Sequence, residues 1–438
     1  MSDITESTII KKLAEVSVPS RLGVKNTLGP ITALMDRLGH PELGFPSIHV
    51  GGTSGKGSTA TFIANILRAA GYRVGLFTKP HLSSVRERFV IDGNLIPAQD
   101  MLEVLDRLGA NEVDKPTWFE LMTALAFQYF KDQRVDLGVI EVGLGGSYDA
   151  TNVLQPEVSV LTNVGLDHTD ILGDTVEEIA SDKVGIIKPC KWVVSGVTQP
   201  SVMEIVEQKS QAVGAKLRLL GRDFNYENLN LTEQGSHFDF RMADQNYKRM
   251  EVKMLGQHQV LNATLACAAA RTLSDVGYRL DEAAIRKGLA QTQVPGRMEI
   301  VAYNPIIMLD AAHSPPKMTA LADALHDLFG ARRVIGVLAF SQGHDAQLTF
   351  SKLGPRLHTA IFTGFNAMTD YGSRLALPAG DLVTSIAKDF PSIEYHIETD
   401  PFKAIELAKR LAGPQDLICI TGSIFLVAQV RSALIAAS

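Results

Sequence analysis

Ser47-Ile48-His49-Val50-Gly51-Gly52-Thr53-Ser54-Gly55-Lys56-Gly57-Ser58-Thr59 is the stretch on which the fold turns. A β-rich run, SIHV, ends in a glycine-rich loop, and an apolar-periodic helical pattern covers Ser58 to Ala70. In that context small residues let backbone N–H groups point inward, and a helix N-terminus adds partial positive charge, which suits phosphate. Lys56 is placed to reach the outer phosphates. The spacing departs from the strict GxxxxGK followed by Ser or Thr, because Gly57 separates Lys56 from Ser58. A merely flexible glycine turn is the competing explanation, and it would need neither the lysine nor the strand before it.

Outward from this loop, YRVGLFT supplies the next strand, so strand, helix and strand are expected to wind as a parallel βαβ unit. Further strands are predicted at 135–143, 158–165 and 191–197, with a helix over Trp118–Lys131. The expected class is α/β, a doubly wound sheet. Over about 224–255 the pattern changes to polar and apolar alternation, as in FDFRMADQNYKRMEV, which predicts a small antiparallel side sheet. Helices are expected at Val260–Leu273 and Glu282–Ala290, after which Gln293-Val-Pro-Gly marks a boundary. The predicted domains are 1–294 and 297–438. In the second, PIIMLDAA, RRVIGVLAF, TAIFTGF, SIEYHIE and DLICITGS alternate with helical segments as a smaller α/β unit.

Bulk properties agree with that division, since 438 residues exceed what one hydrophobic core usually serves. Hydrophobic residues at 45%, charged residues at 21% and a net charge of −6 predict a globular enzyme and exclude a disordered chain. With no dense Lys/Arg run, a nucleic-acid partner is not expected. Cys190, Cys267 and Cys419 are scattered, which predicts buried structural thiols in a reducing compartment. No run of 18 apolar residues and no signal-type N-terminus is present, so the expectation is a cytoplasmic protein without a membrane partner.

Polar residues at the carboxyl ends of α/β strands carry most weight for ligand chemistry. Glu141 ends the apolar run VDLGVI ahead of Gly143, Gly145 and Gly146, where a carboxylate could hold Mg²⁺ or face solvent. His168 follows VSVLTNVG at the equivalent place and is open to a metal role, a helix cap or a structural one. Lys183 sits in a helical segment, and a solvated helix lysine stays open as the local reading.

Taken together, the segments resemble the folylpolyglutamate synthase and dihydrofolate synthase family of Mur-type ligases. HVGGTSGKGSTA, GLFTKPHL, TWFELMTALAF, EVGLGGSYDATN, TNVGLDHTDILGDTVEEIASDKVGIIK, GQHQVLNA, VPGRMEIV, LDAAHSPP and ITGSIFLV occur in the family's order along nearly the whole chain. The resemblance implies a Mur-ligase-like P-loop domain followed by a Rossmann-like C-terminal domain, the two closing over ATP. It also implies ATP-dependent amide formation through an acyl phosphate, with a folate-type acid, L-glutamate, ATP and Mg²⁺, in a monomer. Thr53, Gly55, Lys56, Gly57, Ser58, Thr59, Asn262, Arg297, Asp310 and His313 are then the nucleotide contacts. Glu141 and His168 hold Mg²⁺, joined by Lys183 if it is carbamylated, and Thr117, Phe119, Asp149 and Ser423 border the acid. Lys56, Lys79, His168 and Lys183 form the implied catalytic set.

Four places depart from the family's pattern. Lys79 stands where a metal-binding serine is usual, Ser147 replaces an arginine, Ser314 replaces an asparagine, and SQGHDAQ replaces an Asp-Lys-Asp type run. One cation gained and one lost predicts a relocated charge, with the Lys79 ammonium near the phosphates. Three readings stay open: a folate-type ligase, a ligase for another small carboxylic acid, and a nucleotide-binding homologue with weakened catalysis.

Overall fold

Eight strands form the first sheet: β1 (Ser47–Gly51), β2 (Val74–Phe77), β3 (Phe89–Ile91), β4 (Asn94–Leu95), β5 (Leu137–Glu141), β6 (Val158–Leu161), β7 (Trp192–Ser195) and β8 (Lys216–Leu219). Their spatial order in this computed structural model is β4-β3-β2-β5-β1-β6-β7-β8. Pairing is parallel from β2 to β8, with β3 and β4 added antiparallel at one edge. The structure describes residues 5–19, 27–109, 115–189, 191–243, 245–342, 345–369 and 372–436; Cys190 and the Gly343–His344 part of SQGHDAQ lie outside them.

Every residue of β1, β2, β5 and β6 is buried, as expected of strands covered by helices on both faces. β1 lies between β5 and β6, with Val50 opposite both Glu141 and Val160. Chain order reverses there, so a crevice opens beyond the carboxyl end of β1. The predicted strand at 158–165 stops at Leu161, because Thr162 and Asn163 turn away to bond the glycine loop. The β3–β4 hairpin and β8 escape the sequence reading. β8 is the edge strand KLRL, whose Lys216 and Arg218 lie over the Trp192 ring at 5.1 and 4.4 Å, a charged edge rather than an apolar run.

Two helices that frame the site start at reciprocal caps. Thr117 and Glu120 cap Trp118–Asp132, and Thr175 and Glu178 cap Val176–Lys183, each threonine accepting the N3 amide while the glutamate bonds back. The first packs its apolar face into a core with Phe45, whose ring meets Phe130 edge-on at 5.8 Å. Burying each such phenylalanine contributes about 1.5–3 kcal/mol.

The side sheet consists of β9 (Phe224–Thr232), β10 (Gly235–Met242) and β11 (Gln245–Val252) in the order β11-β10-β9. Two-residue connections make its neighbours antiparallel. A six-stranded sheet follows, formed by β12 (Glu299–Tyr303), β13 (Ile306–Leu309), β14 (Val334–Leu338), β15 (Thr359–Phe362), β18 (Glu394–Ile397) and β19 (Leu417–Thr421). Its order is β12-β13-β19-β14-β15-β18, parallel except for β12. A separate hairpin pairs β16 (Asn366–Thr369) with β17 (Gly372–Leu375).

The chain divides into two compact units, one of residues 1–229, 237–252 and 259–292, the other of 230–236, 253–258 and 293–438. The tip of the β9–β10 hairpin joins the second unit because Leu231 packs on that unit's apolar core and Glu233 pairs with Arg332 at 3.0 Å. Cys267 and Cys419 are buried free thiols that burial pushes upward, so neither is reactive.

Candidate active site at the carboxyl end of the central strand

The glycine loop leaves β1 at Gly51 and enters the helix Lys56–Ala69 through Gly55, whose φ of 80° is left-handed. No side chain caps this helix, so the N-terminal amides are offered to a ligand. Glycine is required at two positions. A Cβ on Gly52, at φ 134°, would stand 2.0 Å from Thr162 Oγ1, and one on Gly55 would stand 2.2 Å from Asn262 Oδ1.

The strand end beside it sets the loop's shape. Asn163 accepts the Ser54 amide at 2.9 Å and donates to its carbonyl, and Thr162 Oγ1 donates to the Ser54 carbonyl at 2.6 Å. Thr53 is buried, with its amide on the Asn163 carbonyl and its hydroxyl on Gly165. Ser58 and Thr59 are buried in the first helical turn, and the Thr59 hydroxyl lies 3.4 Å from Asn262 Oδ1. Asn262 is in turn held by Gln259 at 3.0 Å. Thr162, Asn163 and Gln259 are the supports that sequence reasoning missed; a Thr-Asn pair just past a strand flanking β1 was the available signal.

Three lysines gather around this loop. Lys56 Nζ donates to the carbonyls of Gly52 at 2.9 Å and Thr53 at 3.2 Å. Lys183, the last residue of its helix, is buried and donates to the same Gly52 carbonyl at 3.2 Å. Burial, followed by repulsion from Lys56, pushes the Lys183 ammonium down to about 7. That environment yields a neutral amine near physiological pH, the form that can add CO₂ or coordinate. Burial also lowers Lys79, which feels Lys56 and Arg88 as like charges and Glu141 and Asp149 as opposite ones. Its ammonium lies 6.0 Å from the Phe119 ring, and Phe119 stacks on Phe77.

Glu141 ends β5 as a buried carboxylate, so the solvent-facing alternative does not hold. Its Oε2 accepts the Lys79 amide at 2.9 Å and would lie 3.1 Å from a Cβ on Gly57, over the first turn of the phosphate helix. Among the described residues no three His, Cys, Asp or Glu side chains converge as a metal cage. One buried carboxylate over a helix N-terminus fits Mg²⁺ carried by nucleotide phosphates, which needs only one or two protein carboxylates. His168 occupies the N-cap position of the short helix Thr169–Leu172, where its carbonyl accepts the Ile171 and Leu172 amides but its imidazole does not cap, and the half-exposed ring lies 4.0 Å from Asp167.

Several residues assigned by resemblance to the acid have their polar atoms committed inside the protein. Thr117 is spent in the cap of Trp118–Asp132. Asp149 is buried, accepts the Leu144 amide on Oδ2 at 2.7 Å, and receives the Thr151 amide and hydroxyl on Oδ1. Phe119 remains partly exposed. Ser147, where the related pattern has arginine, donates both its amide and its hydroxyl to the Asp182 carbonyl, at 3.0 and 2.9 Å. It therefore ties the glycine turn to the end of the Lys183 helix.

In the second unit Arg297 is the main opposing charge felt by Asp310, whose carboxyl burial raises. Asp310 accepts the amides of Met298 at 2.9 Å and Ala312 at 2.8 Å. His313 lies 2.9 Å from the Ala311 carbonyl and 3.1 Å from Lys317 Nζ, which fixes the imidazole with Nδ1–H as donor and Nε2 as acceptor. Ser314 is buried at the N-cap position of Pro315–Phe329 without capping it. Ser423 is buried and accepts the Phe425 amide at 3.2 Å, serving the start of the final helix.

The Mur ligase middle domain matches residues 50–270, and the Mur ligase glutamate ligase domain matches residues 296–424. The chain is 33% identical to the dihydrofolate synthase/folylpolyglutamate synthase of Bacillus subtilis over 94% of its own length and 96% of that protein. Mycobacterium tuberculosis folylpolyglutamate synthase complexed with ADP superposes with a TM-score of 0.87 at 30% identity, covering 98% of both chains. Escherichia coli FolC in complex with DHPP and ADP gives 0.85 at 27% identity, again over 98% of both.

Proposed function

The chain belongs to the Mur ligase family, in its folylpolyglutamate and dihydrofolate synthase branch, and from that premise we propose how its residues carry out the reaction. It is an ATP-dependent, ADP-forming acid–amino acid ligase that adds L-glutamate to dihydropteroate or a reduced folate. The observation that carries the site reading is the pairing of an uncapped glycine-loop helix with Lys56 and Lys183 on one loop carbonyl.

The nucleotide's phosphates cap the helix at Gly55, Lys56, Gly57 and Ser58, displacing Lys56 from the carbonyls of Gly52 and Thr53 onto the outer phosphate. Thr53, Thr59 and Asn262 hold the loop's shape, while Arg297, Asp310 and His313 are further nucleotide contacts. Mg²⁺ would neutralise phosphate charge when bound, and Glu141 would hold it, with His168 and a carbamylated Lys183 as the remaining contributors. A carboxylate oxygen of the acid attacks the γ-phosphorus as the bond to ADP breaks. The glutamate amine then attacks the acyl carbon, phosphate leaves, and the amine gives up a proton. Lys79, half-buried with its ammonium 6.0 Å from the Phe119 ring, sets its charge beside the transferring group, where preorganised charge is most effective. Phe119 lines the acid's ring, with Thr117 and Asp149 as the supports behind it.

The same proposal makes the enzyme a cytoplasmic monomer; among the described residues no helix is long and apolar enough to cross a membrane. A phosphate-release assay with ATP, Mg²⁺, glutamate and a panel of acids tests the substrate. Turnover restricted to dihydropteroate or tetrahydrofolate is expected. Turnover only with an unrelated carboxylic acid, or none with any acid, overturns it.

A further inference from the structure

His49 is fully buried in the middle of β1, between Ile140 of β5 and Ser159 of β6, two residues before the glycine loop begins. A histidine there is costly, because one ring nitrogen, Nδ1, is buried without a hydrogen-bond partner. Nε2 lies 2.7 Å from Thr151 Oγ1, 102 residues away in sequence. The Thr151 hydroxyl points its hydrogen to Asp149 Oδ1, so it can only accept from the ring, and the imidazole carries its hydrogen on Nε2. Burial holds this ring neutral, its pKa pushed down to about 3, with Lys188 the nearby like charge.

The chain continues past Asp149. Oδ2 accepts the Leu144 amide, closing the Gly143–Ser147 turn. That turn is pressed on the end of the Lys183 helix: a Cβ on Gly146 would meet the Lys183 carbonyl at 2.6 Å, and Ser147 bonds Asp182. Asn152 completes the lock, donating to the carbonyls of Ser147 and Gly185, while Lys188 donates to the Asn152 carbonyl at 2.8 Å. Strand β1 is thus wired through one hydrogen-bond line to the element that presents Lys183 back to Gly52.

We propose that His49 is a positioning residue that, through Thr151 and Asp149, sets Lys183 against the phosphate loop. This rests on the ligase reading only for its kinetic test. A displacement of about 1 Å at a reacting centre costs up to about 100-fold in rate, so a line that fixes such a position is worth a fully buried unpaired nitrogen.

The test compares His49→Leu, His49→Gln, Thr151→Val and Thr151→Ser with the double variant His49→Leu/Thr151→Val, under saturating ATP, acid and glutamate. Expected are kcat losses of about 10-fold for Leu and Val, with the KM for ATP within about 2-fold, and recovery to within about 3-fold for Gln and Ser. The double variant should fall no further than either single one, since both break one line. Additive losses, or Gln no better than Leu, overturn the proposal. Nitrogen-15 NMR of the wild-type imidazole provides a check that needs neither a substrate nor a folded variant. An Nε2–H tautomer is expected, and an Nδ1–H tautomer refutes the line even if no acid in the panel turns over.

Discussion

Two glycine-rich turns spring from neighbouring strands, Gly51–Gly57 after β1 and Gly143–Ser147 after β5, and they do opposite things. The first runs into a helix of 14 residues that no side chain caps. The second runs into the 3₁₀ turn Ala150–Val153, which Asp149 caps from within. Glycine content is the same kind of signal in both. What separates them is whether the protein supplies its own anion: where it does, the turn is a joint, and where it does not, the turn awaits a ligand's phosphate.

The largest test of that contrast is Lys56→Ala, which should cut phosphate release by at least about 1,000-fold, since positioning and charge supply most of the catalysis in phosphoryl transfer. Near-normal turnover would place the open turn on the same footing as the closed one.

Next comes the joint's contact with Lys183. Its folded pKa of about 7 lies below the unfolded value, so the unfolded state binds more protons between pH 7 and about 10.4. Stability therefore rises with pH across that window, and the penalty is complete below pH 7. Lys183→Met should raise unfolding stability at pH 6 by about 3–5 kcal/mol over the free-amine form, a gain that shrinks toward pH 10, while abolishing turnover. Denaturant titrations at pH 6 and pH 9.5 measure it; a pH-independent effect would mean that Lys183 is not a buried amine.

The smallest effect belongs to the closed turn's cap. Asp149→Ala strands the Leu144 and Thr151 amides and should cost about 2–3 kcal/mol of stability. If stability is unchanged and only the KM for the acid rises, Asp149 faces the substrate after all and the two turns are more alike than their hydrogen bonds indicate.

Much of the frame was legible because buried parallel strands are continuous apolar runs and the glycine loop punctuates them. The edge strand KLRL was not, since its charged residues pack along the Trp192 ring instead of alternating toward a core. Lys183 was beyond local reading: VEEIASDK has the polarity of an exposed helix, and its burial follows from a carbonyl 131 residues earlier in the chain. Thr117 shows the reverse. Thr-Trp-Phe-Glu spells a reciprocal cap in four residues, a local signal more informative about Thr117 than its resemblance-based place beside the acid.

The chain's two tryptophans are each paired with a guanidinium, Trp118 under Arg88 at 4.6 Å and Trp192 under Arg218 at 4.4 Å. Arg88 follows the loop that carries Lys79, and its Nε also donates to His81 at 2.9 Å. Trp118 is therefore placed as a built-in optical reporter on that loop: with Trp192 replaced by phenylalanine one indole remains, and its emission is expected to change when the Arg88 guanidinium shifts from its 4.6 Å position over the ring.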